Sequence, residues 1–156
     1  MWVGGVRVIV FDDDDRLLMI RQHHEDRDIW MVPGGGIEEG ETAVETAVRE
    51  MKEETNLDVE VGRMVWHVEE VDPSRPERGQ RFVNFFLAKI VGGELKMGAD
   101  PEFDSKHQRI REVRFVSQEE MQELENVFPP QLKDELWYLK YTDYVDNEVF
   151  RFREYI

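Results

Sequence analysis

Val6, Val8 and Val10 alternate with Arg7, Ile9 and Phe11, a period of two that predicts a β-strand. Leu17, Leu18, Met19 and Ile20 form an apolar run without alternation, as expected of a central strand buried on both faces. The four aspartates at 12–15 stand between the two and read as a hairpin turn, because Asp tolerates unusual backbone angles. A calcium loop is excluded there: its sixth position is Leu17 rather than Gly, and its twelfth is His23 rather than Glu. Residues 31–42 are rich in turn formers, and a helix is predicted over 42–55, with Thr42 as N-cap and Glu45 at capping-box spacing. Strand-like stretches follow near 57–68, 82–90 and 112–116. Ser117 is placed to cap a helix over 119–125, and Pro129-Pro130 to open another over 131–141. Residues 144–156 alternate loosely and receive no element. No internal repeat or Pro/Gly/Ser-rich linker interrupts the chain, and the interleaving of strands with helices predicts a layered α/β or α+β domain.

The 42–55 helix carries two stripes. At about 100° per residue, Val44, Ala47, Val48 and Met51 share one side and are expected to face the core. Glu50, Glu53 and Glu54 gather on a neighbouring side. Like charges at those spacings weaken a helix by a few tenths of a kcal/mol per pair, roughly, and Arg49 and Lys52 relieve only part of that. A solvated glutamate face would account for the helix taken alone. Just upstream, however, Gly34, Gly35, Gly36 and Gly40 allow backbone N–H groups to approach an anion near a helix N-terminus. Converging carboxylates bind hard divalent cations such as Mg²⁺ through oxygen. A glycine loop beside such a face suits a diphosphate bridged by cations.

Composition narrows the chemistry. The 156 residues include no cysteine, which excludes disulfide scaffolds, zinc–thiolate sites and thiol nucleophiles. With 20 Lys+Arg against 35 Asp+Glu, the formal charge is −15. Such a surface repels nucleic acid and anionic lipid, so neither is expected as a partner. Basic residues concentrate only thinly, at Arg75, Arg78 and Arg81 and again at Lys106, Arg109, Arg111 and Arg114. An anionic substrate would therefore need divalent cations to mediate its binding. No apolar run approaches the roughly 18 residues of a membrane span. Residues 1–20 lack a signal peptide's pattern, so a soluble, cytoplasmic protein is expected.

Gly35, five residues, Glu41, seven residues and then Arg49-Glu50-Met51-Lys52-Glu53-Glu54-Thr55-Asn56-Leu57 resembles the Nudix box, G-x5-E-x7-R-E-U-x-E-E-x-G-U, with U a bulky aliphatic. Asn56 replaces the second glycine, at a helix end where Asn is the next-best residue for a left-handed turn. Trp30-Met31-Val32-Pro33-Gly34-Gly35 resembles the family's run into the box, and Arg114-Phe115-Val116-Ser117 its closing strand. The resemblance covers about residues 3–125, leaving a C-terminal extension over 126–156, and one domain is expected over 1–156. It implies a Nudix-type α/β/α sandwich around a mixed β-sheet. It also implies hydrolysis of a pyrophosphate bond in a nucleoside diphosphate derivative of nucleoside triphosphate, ADP-ribose or nucleotide-sugar type, with Mg²⁺ or substituting Mn²⁺. Carried across, Glu50, Glu53 and Glu54 would be metal ligands, Glu50 also a candidate base, and Arg49 its orienting partner. Glu41 would be an auxiliary ligand, and Gly35 would offer its carbonyl.

The resemblance also marks Arg21 as a phosphate contact, although an outward-facing Arg at a strand end accounts for it equally well; Gly34 and Gly35 are candidate substrate contacts through their backbone, and Trp30 is a stacking candidate. Trp66, Phe82 and Phe85 are further stacking candidates, although strand aromatics are more often core. An additional carboxylate is expected from Asp100, Glu102 or Asp104, with His107 and Gln108 as nearer neighbours, and the choice stays open. Pro73 lies near where a proline accompanies ADP-ribose hydrolases, or it forms a plain Asp-Pro turn. Three other readings stand beside the hydrolase. A catalytically silent Nudix-like nucleotide sensor would be expected to lose the very carboxylates this chain keeps. A diphosphate isomerase of the same fold would want a cysteine. A site-free acidic interaction protein would melt alike with and without Mg²⁺. The aromatic residues after 136 either pack back on the domain or meet a second chain, so a homodimer is one of two outlets.

Overall fold

The computed structural model describes residues 4–71, 73, 76–98 and 109–154. Eight strands and three helices occur among them: β1 (Gly4–Val10), β2 (Leu17–His24), β3 (Arg27–Met31), β4 (Gly34–Gly36), α1 (Ala43–Thr55), β5 (Leu57–Val71), β6 (Arg81–Gly93), β7 (Ile110–Val116), α2 (Gln118–Met121), α3 (Glu135–Tyr141) and β8 (Phe150–Glu154). They form a five-stranded sheet ordered β4-β1-β6-β5-β8 and a three-stranded sheet ordered β3-β2-β7. The larger sheet is mixed: β1 runs parallel to β6 and β5 parallel to β8, while its other pairs are antiparallel. This is the mixed α/β architecture expected from the sequence.

The apolar run of β2 is buried completely, and β2 is central in its sheet, flanked by β3 and β7. The aspartates do turn the chain, with the Asp12 carboxylate accepting from the Asp14 and Arg16 amides and Asp15 in the left-handed region. They do not close a hairpin ladder. β1 and β2 share only a Phe11–Leu17 bridge before diverging into different sheets. Arg7 to Phe11 can therefore line one layer while Leu17 to Arg21 line another.

Two apolar clusters separate the layers. Val6, Val8, Val10, Leu57, Val59, Phe86 and Ala88 of the larger sheet pack with Leu18 against Ala47 and Met51 of α1. Ile9, Trp66, Val68 and Phe85 pack with Met19, Trp30 and Val116 and with Met121, Leu132, Leu136 and Trp137 of the C-terminal helices. The expected core stripe of α1 is corrected here. Ala47 and Met51 are buried, but Val44 is 47% and Val48 40% exposed. The helix is rolled toward its glutamate side, where Thr46, Glu54 and Thr55 are buried because each finds a hydrogen-bond partner.

The predicted helix ends also move. Thr42 and Glu45 make the expected capping box, and Asn56 closes α1 at φ 64° as a left-handed cap. The glycine-rich stretch between 31 and 42 contains a short strand, β4, laid antiparallel on β1. The helix expected over 119–125 is only the Ser117-capped α2. The one expected over 131–141 opens as a 3₁₀ turn at Pro130–Leu132 and restarts at Glu135, whose amide donates to the Asp134 carboxylate. The unassigned tail supplies β8. The aromatic C-terminal segment packs back through Trp137 and Leu139 of α3 and through Tyr144, leaving Tyr138, Tyr141, Phe150 and Phe152 exposed.

Candidate active site

Helix α1 and strand β4 build the site together. Arg49 is its hub. Its Nε donates to Glu41 Oε2 at 2.7 Å and its Nη2 to Glu41 Oε1 at 2.9 Å, a two-pronged pair that also fixes the guanidinium plane. Its Nη1 donates to Glu50 Oε1 at 3.0 Å and to Glu53 Oε2 at 3.1 Å, and Nη2 also reaches the Gly36 carbonyl. Glu41 is held in turn by the Thr46 hydroxyl and the Glu38 amide. This pairing with Arg49 keeps the Glu41 carboxyl at about 2, against an ordinary 4.5. Arg49 itself is driven above its usual range, chiefly by Glu41.

Glu50 stands differently. Its carboxylate rests on β4 at Gly35, where a Cβ would come 2.6 Å from its Cδ atom. A side chain there would displace the Glu50 carboxylate, which explains in packing terms why the box begins with a glycine. Burial pushes the Glu50 carboxyl up to about 7, overriding the lowering effect of Arg49. Glu54 lies one turn further along, buried, with Oε1 accepting from the Gly34 amide at 2.8 Å. The expected anion cradle of free glycine amides is thus partly occupied: Gly34 serves Glu54, and β4 pairs with β1.

The structure brings Glu41, Arg49, Glu50, Glu53, Gly34 and Gly35 together and seats Glu54 beside them. Among the described residues no three acidic side chains already converge on one point, since Arg49 lies between Glu50 and Glu53. The donor set nevertheless fits a hard cation. The candidate side-chain donors are all carboxylates, and the single hydrogen bond that Glu50 and Glu53 each accept from Arg49 uses only part of a carboxylate's roughly four acceptor positions, whereas Glu41 already accepts four.

Arg21 and Trp30 lie elsewhere. Arg21 is on the side of β2 shared with Met19, away from the Leu18 side that meets α1. It is paired with Asp28 at 2.5 Å and Glu112 at 3.2 Å. Trp30 is 7% exposed, with Arg21 and Arg114 over its ring. Both line an open cleft of about 630 Å³ with His23, Arg27, Asp28 and Arg111. Trp66 and Phe85 are core and meet edge to face, while Phe82 stacks on His67. Pro73 is exposed in a turn. Asp100, Glu102, Asp104, His107 and Gln108 fall outside the described residues. Arg7 and His24 are absent from the sequence-based candidates; Arg7 alternates out of the Val6, Val8 and Val10 row that meets α1, yet its charge acts on both His24 and Glu50. The lone arginine among the valines of β1 was the available signal.

A family model described as NUDIX domain matches residues 1–136. The ADP-ribose pyrophosphatase of Methanocaldococcus jannaschii is 36% identical over 92 residues, which cover 58% of this chain and 53% of that protein. The RNA pyrophosphohydrolase of Sphingopyxis alaskensis is 28% identical over 130 residues, 75% of this chain and 78% of that one. This chain spans about half the length of the archaeal relative. Among solved structures, a NUDIX hydrolase from Nitrosomonas europaea has a TM-score of 0.70 at 15% identity, covering 92% of this chain and 90% of that one; the likeness is one of fold.

Proposed function

Because the chain belongs to the NUDIX family, we propose that it hydrolyses a pyrophosphate bond in a nucleoside diphosphate derivative, with Mg²⁺ as the metal. The observation that carries this reading is the seating of the Glu50 carboxylate on side-chain-free Gly35, with Arg49 tying it to Glu53 and Glu41. Relatives described as an ADP-ribose pyrophosphatase and an RNA pyrophosphohydrolase support the same bond type. They differ in the group attached to the phosphates, so the class assigned to this chain is the shared phosphorus anhydride.

Glu50, Glu53 and Glu54 would hold the cations, with Glu41 and the Gly35 carbonyl as auxiliary donors. When bound, Mg²⁺ neutralises phosphate oxygens and lowers the pKa of water. The chain's own residues do the rest. Glu50 accepts the proton of the attacking water at a carboxylate oxygen held in place by Arg49 Nη1. Arg49 fixes the separation of Glu50 and Glu53, and Glu41 fixes the Arg49 plane through its two-pronged pair. The Gly34 amide anchors Glu54 on the strand, so the carboxylates of one helix are referenced to one backbone segment.

Glu53→Gln tests the reading. In a panel of ADP-ribose, nucleoside triphosphates, dinucleoside polyphosphates and nucleotide sugars, the wild type should release product only with Mg²⁺ or Mn²⁺. The variant should lose 10²-fold or more of kcat, roughly the scale of removing a group that acts only in the transition state. A variant with near wild-type Mg²⁺-dependent turnover removes the proposal.

A further inference from the structure

We infer that Arg7, on β1, is the guanidinium that grips the phosphate oxygens of the substrate and thereby sets affinity for diphosphates. This rests on the hydrolase reading above and adds a residue to it. The position is fixed by geometry. Arg7 pairs with Gly34 in the β1–β4 ladder, and its side chain runs across that glycine: a Cβ on Gly34 would come 2.9 Å from Arg7 Cδ. Glu50 lies against the next residue, Gly35. Consecutive Cα atoms are about 3.8 Å apart, so the cation and the candidate base rest against neighbouring residues of one strand; these face opposite sides of it, and the Arg7 charge nevertheless reaches Glu50.

The guanidinium is half-buried and is aimed by a single hydrogen bond, Nη1 to the Val32 carbonyl at 3.2 Å. A guanidinium carries about five N–H donors, so most of its fork stays available. Among the described residues, no carboxylate lies within ion-pair distance of it. Two other arginines of these layers are already committed. Arg49 is shared among Glu41, Glu50 and Glu53, and Arg21 between Asp28 and Glu112 on the other side of β2. Gln22 and His24, on the Leu18 side of β2, add polar groups, hydrogen-bonded to each other at 2.9 Å. In a chain of charge −15, a half-buried cation near the Glu50 carboxylate is where an incoming phosphate finds attraction. The planar fork matches two oxygens of one phosphate.

Calorimetry with ADP, GDP and UDP in the presence of Mg²⁺, with adenosine as the phosphate-free control, tests this on wild type, Arg7→Gln, Arg7→Lys and Lys89→Gln. Lys89→Gln removes the same unit of charge from an exposed position on β6. Arg7→Gln should weaken binding of the diphosphates about 10- to 100-fold, the range of a lost charged hydrogen-bonding partner, and leave adenosine unchanged. Arg7→Lys should fall between it and wild type, and Lys89→Gln should match wild type. In turnover, KM should rise more than kcat falls. Diphosphate binding by Arg7→Gln equal to wild type overturns the assignment, as does a wild type that binds none of the three. If Arg7→Gln proves unfolded by circular dichroism, parity of Arg7→Lys with wild type overturns it. Weakened ADP binding by Arg7→Gln, together with a wild type that binds ADP but hydrolyses nothing in the substrate panel, would refute the hydrolase and keep the phosphate contact. Unchanged KM in an active enzyme would do the reverse.

Discussion

Glu41 shows how a side chain that takes no proton in the proposed reaction shapes the site. Its carboxylate makes no contact with Glu50, yet it determines where the Arg49 fork lies, and Arg49 determines where Glu50 and Glu53 lie. Its titration gives a test. The folded carboxyl sits at about 2 against an ordinary 4.5. A depressed folded value means that stabilisation is complete above the unfolded value and disappears as pH falls toward the folded one. Glu41→Gln should therefore melt below wild type at pH 7, and the gap should close between about pH 4.5 and 2. Thermal melts at pH 7, 4, 3 and 2 check this, and a gap constant across that window contradicts the pairing. At this scale the sequence was legible where spacing encodes contact. Arg49, Glu50, Glu53 and Glu41 fall together as the box spacing implies. Arg21 was not legible, because the side to which a strand residue points depends on what covers each face of the sheet, and β2 is covered on both.

Helix α1 is the element on which everything turns. Its caps were readable at both ends, since Thr42, Glu45 and Asn56 act through local backbone geometry. Its roll was not. Hydrophobicity alone places Val44 and Val48 inward with Ala47 and Met51, but the hydrogen bonds of Thr46 to Glu41 and of Glu54 to the Gly34 amide outweigh two valine contacts. An unsatisfied buried polar group costs about 1–3 kcal/mol, more than a partly exposed valine gains. Met51→Ala should then destabilise the fold by about 2–5 kcal/mol. Val44→Ala should stay within about 0.5 kcal/mol of wild type. Urea unfolding of the two variants decides the matter, and similar losses would return the helix to its sequence-based orientation. The rolled helix is also what turns the glutamates toward β4 rather than toward water.

For the molecule as a whole, the segment after residue 126 is structural. Trp137 and Tyr144 complete the cluster that backs the larger sheet, and β8 extends that sheet. Aromatic content announced burial, but the parallel pairing of Phe150 with His67 depends on a contact far apart in the chain, which local pattern does not record. Among the described residues, no helix is long and apolar enough to cross a membrane. Burial raises the Tyr144 hydroxyl to about 12 from an ordinary 10. A raised folded value means that stabilisation is intact below pH 10 and is lost as pH climbs through 12, worth up to about 3 kcal/mol. Tyr144→Phe should hold its melting temperature better than wild type across that window, and parallel curves would contradict the burial. The β5–β8 pairing also has a consequence for biosynthesis. At translation rates of about 5–20 residues per second, β8 leaves the ribosome roughly 4–16 s after the strand it must join. Through that interval the nascent chain carries β5 with one flank bare, an open template for pairing with neighbouring polypeptides, so slowing elongation late in the message should lower the soluble yield.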